Sequence, residues 1–429
     1  MENFENNNTI AIVGLGYVGL PLALLASKKG YKVNGVIRNP EKADLINQRI
    51  SPIHDEKIIE DLKTTTLEAT TDFTKVKEAS IIIICVPTPI DFNHMPDLEP
   101  VISATTNVGK NLRKGQTVIL ESTVNPGVCE EVMLPILEKE SGLKGGSDFY
   151  FAHCPERINP GDPKWNVENI NRVVGSLEEK GLKIATDFYQ SILRGTIKQM
   201  GNLKEAEACK VVENSFRDIN IAFVNELALS FSKLGIDVVR VIDGAAIKPF
   251  AFMPHYPGCG VGRHCIPVDP YYLIEYAKKK GFYHDFLSLA RRINNSMPEY
   301  TVELVVKGLN EKGVAIHGAK VAVLGLAYKG NIDDDRESPS YEIIRYLKEN
   351  GADVVIYDPY VVKKSTVQTL DEALSEAKAV VLATGHQDFR KITPELLINS
   401  GVRVLVDGRN FFNKDDFLSK EIIYKGIGR

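Results

Sequence analysis

Short apolar runs that alternate with amphipathic segments organise the first part of the chain. Thr9–Val13 reads as a strand, Gly14–Gly19 as a tight turn and Leu20–Lys29 as a helix. Further runs that read as strands lie at Tyr31–Ile37, Ser80–Val86 and Thr117–Glu121, with helix-like segments between them. This alternation predicts a parallel sheet wound with helices.

The middle and the end of the chain follow two further patterns. Residues Leu203–Leu234 favour helix without an interrupting proline. At 1.5 Å per residue this helix would be roughly 45 Å long, enough to brace a second domain or subunit. A second β/α alternation follows, with apolar runs that start at Lys320, Ala352, Ala379 and Val402. The pattern predicts two nucleotide-sized α/β domains around a helical middle.

The composition is that of an ordinary globular chain and excludes several classes of partner. Of 429 residues, 44% are hydrophobic and 25% are charged. This length predicts two or three domains. The formal net charge of −4 predicts neither a nucleic-acid surface nor an anionic-membrane surface. Any anion must therefore be bound by a local site.

Cysteine spacing and the first residues bear on metal binding and location. The six cysteines are scattered, with no Cys-x-x-Cys pair and no zinc-like spacing, so no metal site is predicted. The start MENFENNNTI lacks the basic region and apolar core of a signal peptide. No apolar run approaches the roughly eighteen residues of a membrane span. We expect a cytosolic enzyme with reduced thiols.

A Gly-x-Gly-x-x-Gly pattern, formed by Gly14, Gly16 and Gly19, is the first candidate for chemistry. It is weak evidence alone, because glycine turns are common. Here it follows a strand and opens a helix, the context in which backbone N–H groups and the helix dipole bind a pyrophosphate. The acidic residue expected for the adenosine ribose is absent, since the second strand ends at Ile37 and Arg38 follows. Arg38 either pairs with a 2′-phosphate, which places NADP beside NAD, or is merely solvated.

A loop with three glycines in five residues, Gly258, Gly260 and Gly262, precedes the second candidate, Cys265. Glycines let the backbone approach a ligand closely. A neighbouring cation lowers the pKa of a thiol, and the candidate cations are Arg263, His264 and the distant Lys210. The alternative is a buried, inert cysteine. That reading is taken for Cys85, Cys129 and Cys209, and nothing favours reactivity for Cys154 or Cys259.

Three other polar positions leave two readings open. Asp269, four residues after Cys265, is either a turn cap or a carboxylate that orients a water beside the thiol. Lys210 and Asn214 are spaced i, i+4 and share one face of the predicted helix. From periodicity alone, a solvated helix face is the simpler explanation.

Eight motifs in order carry a resemblance to one family. They are GLGYVGLPLA (14–23), CVPTP (85–89), ESTVNPG (121–127), CPERINPG (154–161), EAEACKVVENSFRDINIAFVNEL (205–227), GCGVGRHCIPVDP (258–270), GLAYKGNIDDDRESPS (325–340) and DGRN (407–410). Over nearly its whole length the sequence resembles the nucleotide-sugar 6-dehydrogenases, which include UDP-glucose and UDP-N-acetylhexosamine dehydrogenases. Each motif alone is modest evidence, but the ordered set leaves little room for another family.

The resemblance implies a three-domain α/β fold. An N-terminal NAD(P)-binding Rossmann domain would span 1–202, a central helical dimerisation domain with the cysteine loop 203–312, and a C-terminal Rossmann-like UDP-binding domain 313–429. It also implies a homodimer, and oxidation of a sugar C6 alcohol to a carboxylate with two nicotinamide cofactors per product. An aldehyde released halfway would be lost, so this reaction demands a covalent device.

The resemblance assigns catalytic roles as well. Cys265 would attack the C6 aldehyde to give a thiohemiacetal, which is oxidised to a thioester and hydrolysed to the acid. Lys210 would stabilise the alkoxide and oxyanion states, with Asn214 as a second donor. Asp269 would orient a water or act as base in the alcohol step, Glu156 would be the base for hydrolysis, and Thr123 would position the water near the nicotinamide.

Binding residues carried over from the family form two sets. The cofactor set is Gly14, Gly16, Tyr17, Val18, Gly19, Arg38, Lys42, Val86, Thr88, Thr123 and Arg336. The substrate set is Glu156, Arg157, Lys210, Asn214, Tyr256, Gly258, Gly260, Gly262, Lys329 and Arg409. Lys329 and Arg409 resemble the family's UDP contacts, and such cations explain how an acidic chain binds an anion.

The sugar is harder to assign. The run 248–258 before HCIPVDP resembles the UDP-N-acetylglucosamine branch most. UDP-N-acetylmannosamine ranks second, and UDP-N-acetylgalactosamine and UDP-glucose stay open. Two positions depart from the family: Ile37 replaces the usual ribose acid, which questions NAD preference, and Arg263 stands where glycine is usual, which would narrow the sugar pocket.

Two other functions compete with this one. A two-electron hydroxyacid dehydrogenase shares the Rossmann start and helical middle, but it needs neither a thiol in a glycine loop nor a third α/β domain. A redox-inactive nucleotide-sugar-binding protein would keep only the ligand contacts. The presence of Cys265, Lys210 and Glu156 argues against it.

Overall fold

The chain divides into two compact units in the computed structural model, which describes residues 8–53, 55–91, 95–158, 165–263, 265–418 and 421–429. The first unit contains Met1–Glu213 and Tyr271–Phe282, and the second contains Asn214–Pro270 and Tyr283–Arg429. Two helices, α7 (Leu203–Leu234) and α9 (Asp269–Lys279), pass from one unit into the other.

The first unit is built on one wound sheet. Its strands are β1 (Thr9–Val13), β2 (Lys32–Val36), β3 (Glu68–Thr70), β4 (Ile81–Ile84), β5 (Thr117–Leu120), β6 (Tyr150–His153), β7 (Arg172–Ser176) and β8 (Ile197–Gln199), in the order β3-β2-β1-β4-β5-β6-β7-β8. Neighbouring strands run parallel, apart from the antiparallel pair of β6 and β7. The strand order reverses between β1 and β4, where sheets of this type bind ligands.

Helices cover both faces of that sheet. They are α1 (Gly19–Lys28), α2 (Pro40–Asn47), α3 (Glu56–Thr64), α4 (Glu99–Gly109), α5 (Leu134–Ser141) and α6 (Glu179–Ile192), with a 3₁₀ turn at Phe73–Glu78 and a π turn at Cys129–Met133. The central strands β1, β4 and β5 are almost entirely apolar and buried. Strands covered on both faces show this continuous apolar pattern.

The second unit combines long helices with a smaller parallel sheet. Besides most of α7, its helices are α8 (Val238–Ala246), α10 (Asp285–Glu311), α11 (Pro339–Glu349), α12 (Leu370–Leu374) and α13 (Pro394–Asn399). Its strands are β9 (Lys320–Leu324), β10 (Asp353–Tyr357), β11 (Ala379–Leu382), β12 (Val404–Asp407) and β13 (Ile423–Gly426), in the order β10-β9-β11-β12-β13. Short 3₁₀ turns lie at Val362–Lys364, Gln387–Lys391 and Lys414–Asp416.

The sequence pattern predicted the main elements of both units correctly. The strand at Thr9–Val13 and the helix at Leu203–Leu234 have the expected bounds, and the other predicted strands are present but shorter. The pattern did not predict helix α10, which runs through Pro298, or the antiparallel pair of β6 and β7. Within the described ranges no helix is both long and apolar enough to cross a membrane.

Candidate active site

The glycine turn lies at the reversal of strand order in the first unit. Gly14 has a φ of 99°, and a Cβ there would lie 2.5 Å from the carbonyl oxygen of Cys85, while a Cβ on Gly19 would lie 1.9 Å from the carbonyl oxygen of Gly14. Gly16 faces open space, because no described atom lies within 4 Å of the position that a Cβ would take there. Helix α1 starts here, and no side chain among the described residues caps it. A pyrophosphate fits this turn, because the N–H groups of the helix start are free of side-chain caps.

The remaining cofactor candidates of the first unit differ in their exposure and hydrogen bonds. Tyr17 is exposed and Val18 is partly buried. Val86 and Thr88 follow β4, and the carbonyl oxygen of Thr88 accepts a hydrogen bond from the Tyr272 hydroxyl at 2.6 Å. Arg38 and Lys42 are exposed beyond β2, where Asn39 caps α2 by accepting the N–H of Lys42 at 3.1 Å.

Cys265 lies in the turn that leads into helix α9. Its carbonyl oxygen accepts N–H bonds from Val268 at 3.2 Å and Asp269 at 2.8 Å. The Asp269 carboxylate is buried and accepts a hydrogen bond from the Asn214 amide at 2.5 Å. The second unit therefore holds a thiol and a carboxylate on one hydrogen-bonded turn, and an amide from α7 binds that carboxylate. His264, a candidate cation, lies outside the described residues.

Exposure separates Cys265 from most other thiols of the chain. Cys85, Cys129, Cys154 and Cys259 are buried, whereas Cys209 and Cys265 are partly exposed. Burial raises the pKa of Cys154 to about 12. Cys209 was predicted to be buried and is not, but desolvation and the Glu213 carboxylate raise its pKa, which agrees with the inert role assigned to it.

The glycine loop before Cys265 packs against the carboxyl end of the smaller sheet. The Arg409 guanidinium, which follows β12, donates to the carbonyl oxygens of Gly260 at 3.2 Å and Ala383 at 2.7 Å. The N–H of Cys259 donates to the carbonyl oxygen of Gly408 at 2.7 Å. A Cβ on Gly260, whose φ is 133°, would lie 2.7 Å from the Cβ of Pro339, so a glycine is needed there for close packing.

Other substrate candidates of the second unit lie around this edge. Lys329 is exposed after β9. A Cβ on Gly262 would lie 2.7 Å from the Cβ of Tyr328. Tyr256 is exposed, and its hydroxyl donates to Asp243 at 2.7 Å. The cofactor candidate Arg336 is also in this unit, and its guanidinium donates to the Asp334 carboxylate at 2.8 and 2.6 Å.

Glu156 belongs to a buried charged cluster in the first unit. Its Oε2 accepts from the Arg172 guanidinium at 2.6 Å, and its Oε1 accepts the N–H groups of Arg157 and Ile158 at 2.5 Å each. Arg172 also donates to Glu121 at 3.1 Å. Arg157, a substrate candidate, uses its guanidinium to bind Glu213 and the carbonyl oxygen of Asn171.

Lys210 lies one turn before Asn214 on α7, and a structural carboxylate lies one turn before Lys210. That carboxylate, Glu207, is fully buried and accepts the N–H groups of Gly127 at 2.5 Å and Cys129 at 2.8 Å. Burial raises the pKa of Glu207 to about 7. It fixes the segment that carries Thr123, which is partly exposed.

Sequence reasoning missed several residues that organise these sites. Arg172 binds both Glu156 and Glu121, and Asn225 accepts the N–H of Gly258 at 3.0 Å. Arg172, at the start of the otherwise mostly apolar strand β7, was the one feature of the sequence that could have indicated the buried cluster. Nothing in the local pattern marks Asn225, because its partner lies 33 residues away.

Three family models match the chain in succession. The NAD binding domain of the UDP-glucose/GDP-mannose dehydrogenase family matches residues 8–193. The central domain of the same family matches 204–296, and its UDP binding domain matches 322–414. The matches follow the domain order that the motifs predicted.

Individual relatives are similar over nearly the whole chain. A UDP-N-acetyl-D-glucosamine 6-dehydrogenase from Pseudomonas aeruginosa is 36% identical over 414 residues, which cover 95% of this chain and 97% of that protein. A UDP-N-acetyl-D-mannosamine dehydrogenase from Pyrococcus horikoshii is 37% identical over 427 residues, covering 98% and 99%. The solved structure of a UDP-D-ManNAc dehydrogenase from Pyrococcus horikoshii superposes with a TM-score of 0.92 at 36% identity, covering 98% and 99%.

Proposed function

Because the chain belongs to the UDP-glucose/GDP-mannose dehydrogenase family, we propose that its substrate is a UDP-N-acetylhexosamine, with UDP-N-acetylglucosamine first. The chain is an NAD-dependent nucleotide-sugar dehydrogenase. Enzymes of this family oxidise the sugar 6-alcohol to the uronic acid in two steps. The observation that carries the catalytic part of the proposal is the turn from Cys265 to Asp269, which holds a partly exposed thiol and a carboxylate that accepts a hydrogen bond from Asn214 of α7.

Cys265 is the covalent catalyst in this proposal. Its sulfur adds to the C6 aldehyde and forms a carbon–sulfur bond, and the resulting thiohemiacetal is oxidised to a thioester. Water then attacks the thioester carbon, the carbon–sulfur bond breaks, and the thiol is freed as the acid leaves. NAD, when bound, accepts the hydride in each of the two oxidations.

Polar side chains around the reacting carbon have separate roles. Lys210 stabilises the negative oxygen that develops in each step, and Asn214 is a second donor to it. Asp269, held by the Asn214 amide, takes the proton of the C6 alcohol or orients a water. Glu156 takes the proton of the attacking water in the hydrolysis, and Thr123 positions that water.

The two nucleotides are held by backbone and by cations. Gly14, Gly16 and Gly19 accept the NAD pyrophosphate, because that turn leaves room for it and α1 begins there. Thr88, Val86, Tyr17, Val18, Arg38, Lys42 and Arg336 complete the cofactor set. Lys329 and Arg409 bind the UDP at the carboxyl end of the smaller sheet, and Gly258, Gly260, Gly262, Tyr256 and Arg157 complete the substrate set.

The sugar assignment rests on the glucosamine-like loop before Cys265. Relatives with comparable identity are named for N-acetylglucosamine and for N-acetylmannosamine. Rates with UDP-N-acetylglucosamine, UDP-N-acetylmannosamine, UDP-N-acetylgalactosamine and UDP-glucose separate the four. The proposal expects the first to have the highest kcat/KM, and a higher value for any other sugar would overturn this assignment.

A homodimer is part of the same proposal. On α7, Phe216 and Phe223 are 50% and 52% exposed and lie two turns apart on one face. On α10, Phe286 and Leu289 are exposed at 66% and 38%. Exposed apolar side chains grouped on helices of one unit are typical of an interface with another protein chain, and a second copy is the partner proposed.

Substitution of Cys265 tests the catalytic proposal. Cys265→Ser is expected to bind UDP-sugar and NAD normally but to lose acid formation by at least about 10³-fold, because an alcohol is a far weaker nucleophile than a thiolate. Cys209→Ser, which removes the other partly exposed thiol, is the matched control and keeps its activity. Acid formation by Cys265→Ser at the normal rate would exclude the covalent mechanism.

The same assay separates the competing function. A redox-inactive nucleotide-sugar-binding protein would bind the ligands with equal affinity in the wild type and in Cys265→Ser, and neither form would reduce NAD. The partly exposed Cys265 in a turn with Asp269 favours the enzyme.

A further inference from the structure

Arg172 lies at the centre of a buried cluster of charged side chains, which has more members than would be needed to fix one loop. Arg172 opens β7 with its side chain fully buried, and it bridges Glu156 at 2.6 Å and Glu121 at 3.1 Å. Glu121 in turn accepts a hydrogen bond from the Tyr189 hydroxyl at 2.6 Å. Two carboxylates therefore share one cation in the interior, an arrangement that is costly unless every charge is hydrogen-bonded.

The hydrogen bonds that the Glu156 carboxylate accepts occupy most of its lone-pair positions. A carboxylate has about four lone-pair positions. Both positions of Oε1 receive backbone N–H groups, from Arg157 and Ile158, and one position of Oε2 receives Arg172. Among the described residues no second donor binds Oε2, and its remaining position is the one from which Glu156 can take a proton.

Glu121, the second carboxylate that binds Arg172, is strongly affected by its burial. Burial raises the pKa of Glu121 to about 7, Arg172 opposes that rise, and the Glu156 carboxylate adds to it. Besides Arg172, the groups that face this pair are the Tyr189 hydroxyl on α6 and the thiols of Cys85 and Cys154 after β4 and β6, which burial keeps protonated.

We propose that Arg172 is a positioning residue for thioester hydrolysis: its guanidinium, which also binds Glu121, holds the Glu156 carboxylate so that the second position of Oε2 is aimed at the attacking water. This inference rests on the proposed function, in which Glu156 takes the proton of the attacking water. In that step the water oxygen bonds to the thioester carbon, one water proton passes to Glu156, the carbon–sulfur bond breaks, and the sulfur leaves as the Cys265 thiolate.

Rapid-mixing kinetics with UDP-N-acetylglucosamine and NAD isolate this step. In Arg172→Gln both oxidations should proceed and the hydrolysis should slow by about 10²-fold, the cost of misplacing a catalytic base. The expected trace is a burst of two reduced cofactors per active site, followed by slow turnover. Mass spectrometry of the quenched protein should show the sugar attached to Cys265.

The split between kcat and KM gives a readout that a merely structural role would not move. In Arg172→Gln the hydrolysis limits turnover, so kcat should fall by about 10²-fold while the two oxidations keep their wild-type rates. Arg172→Lys, which keeps the charge but not the forked geometry, should restore the hydrolysis rate only in part. Glu121→Gln, which leaves the pair of Arg172 and Glu156 in place, should slow the hydrolysis less than Arg172→Gln does.

Two further variants keep the test decisive. The double variant Arg172→Gln, Glu121→Gln removes one buried cation and one buried carboxylate. It replaces Arg172→Gln in the test if that single variant does not fold, and it should show the same burst. Glu178→Gln is the matched control, because Glu178 caps α6 beyond the other end of β7 by accepting the N–H of Gly181. Glu178→Gln should hydrolyse the thioester at the wild-type rate.

The outcomes separate this inference from the proposed function. If the wild type makes the acid and the Arg172 variants hydrolyse the thioester at the wild-type rate, the positioning role is overturned and the proposed function stands. A wild type that releases aldehyde after one oxidation would overturn both.

Discussion

Arg263 has a backbone conformation that glycine favours. Its φ is 86°, in the left-handed region, and it lies two residues before Cys265. An L-residue with a Cβ is strained there by about 1 to 3 kcal/mol. The family usually has glycine at this position, so the backbone conformation explains the usual residue and the arginine is the departure.

Replacing Arg263 by glycine should stabilise the protein. We expect the free energy of unfolding to rise by about 1 kcal/mol, because the strain disappears and the gain exceeds the added chain entropy of glycine. Urea unfolding with an unchanged m-value measures this. Arg263→Ala is the control, since alanine keeps the Cβ. An equal gain in Arg263→Ala would show that the arginine charge, and not the strain, is responsible.

At the residue scale the motifs of the sequence name candidates for chemistry, but they do not name the side chains that hold those candidates. Cys265, Asp269 and Glu156 are proposed as reacting residues because they lie in recognisable local patterns. Arg172 lies 16 residues from Glu156 and 51 from Glu121. These three side chains meet because β5 packs parallel to β6 and because the chain turns from β6 into β7. The spacing of the residues along the sequence does not predict this contact.

At the scale of elements, α7 and α10 hold the glycine loop through a buried polar network. Arg291 donates to Asp218 at 2.6 Å, and Asn294 donates to the same carboxylate at 2.8 Å. Asn225 donates to Asn294 at 2.8 Å and accepts the N–H of Gly258 at 3.0 Å. Buried polar networks of this kind fix one arrangement of the elements that they join.

Removal of Asn225 should loosen the loop. Asn225→Ala leaves the Gly258 N–H and the Asn294 amide without their partner, which we expect to cost about 2 kcal/mol of unfolding free energy. The KM for the UDP-sugar should rise by about three- to tenfold, since Gly258 belongs to the proposed substrate loop. Asn220→Ala is the control on the same helix, where the side chain donates to the Phe216 carbonyl. Equal effects of the two variants would contradict the account.

The elements that the sequence predicted are those with a strong local signal. Strands β1, β4 and β9 lie inside their sheets and read as apolar runs. The edge strand β3 has three residues and a partly polar pattern, so it was not predicted. Helix α10 was missed because Pro298 lies inside it, although the proline is buried and packs near Gly260.

At the scale of the whole molecule, the exposed phenylalanines of α7 test the proposed dimer. Phe223→Glu places a charge in the apolar patch, so the dimer dissociation constant should rise by at least about 10²-fold. Light scattering at micromolar concentration should show a dimer for the wild type and a monomer for the variant. Leu418→Glu, at another exposed apolar residue, should stay dimeric. A monomeric wild type would exclude the dimer.

The central claim is that one active site removes four electrons from the sugar through Cys265. The most direct test is the absorbance at 340 nm with limiting UDP-N-acetylglucosamine, run separately with NAD and NADP. The account predicts two reduced NAD per sugar, and faster reduction of NAD than of NADP, in line with the NAD binding domain that the chain matches. One reduced cofactor per sugar would contradict it and indicate a simple alcohol dehydrogenase in which Cys265 is structural.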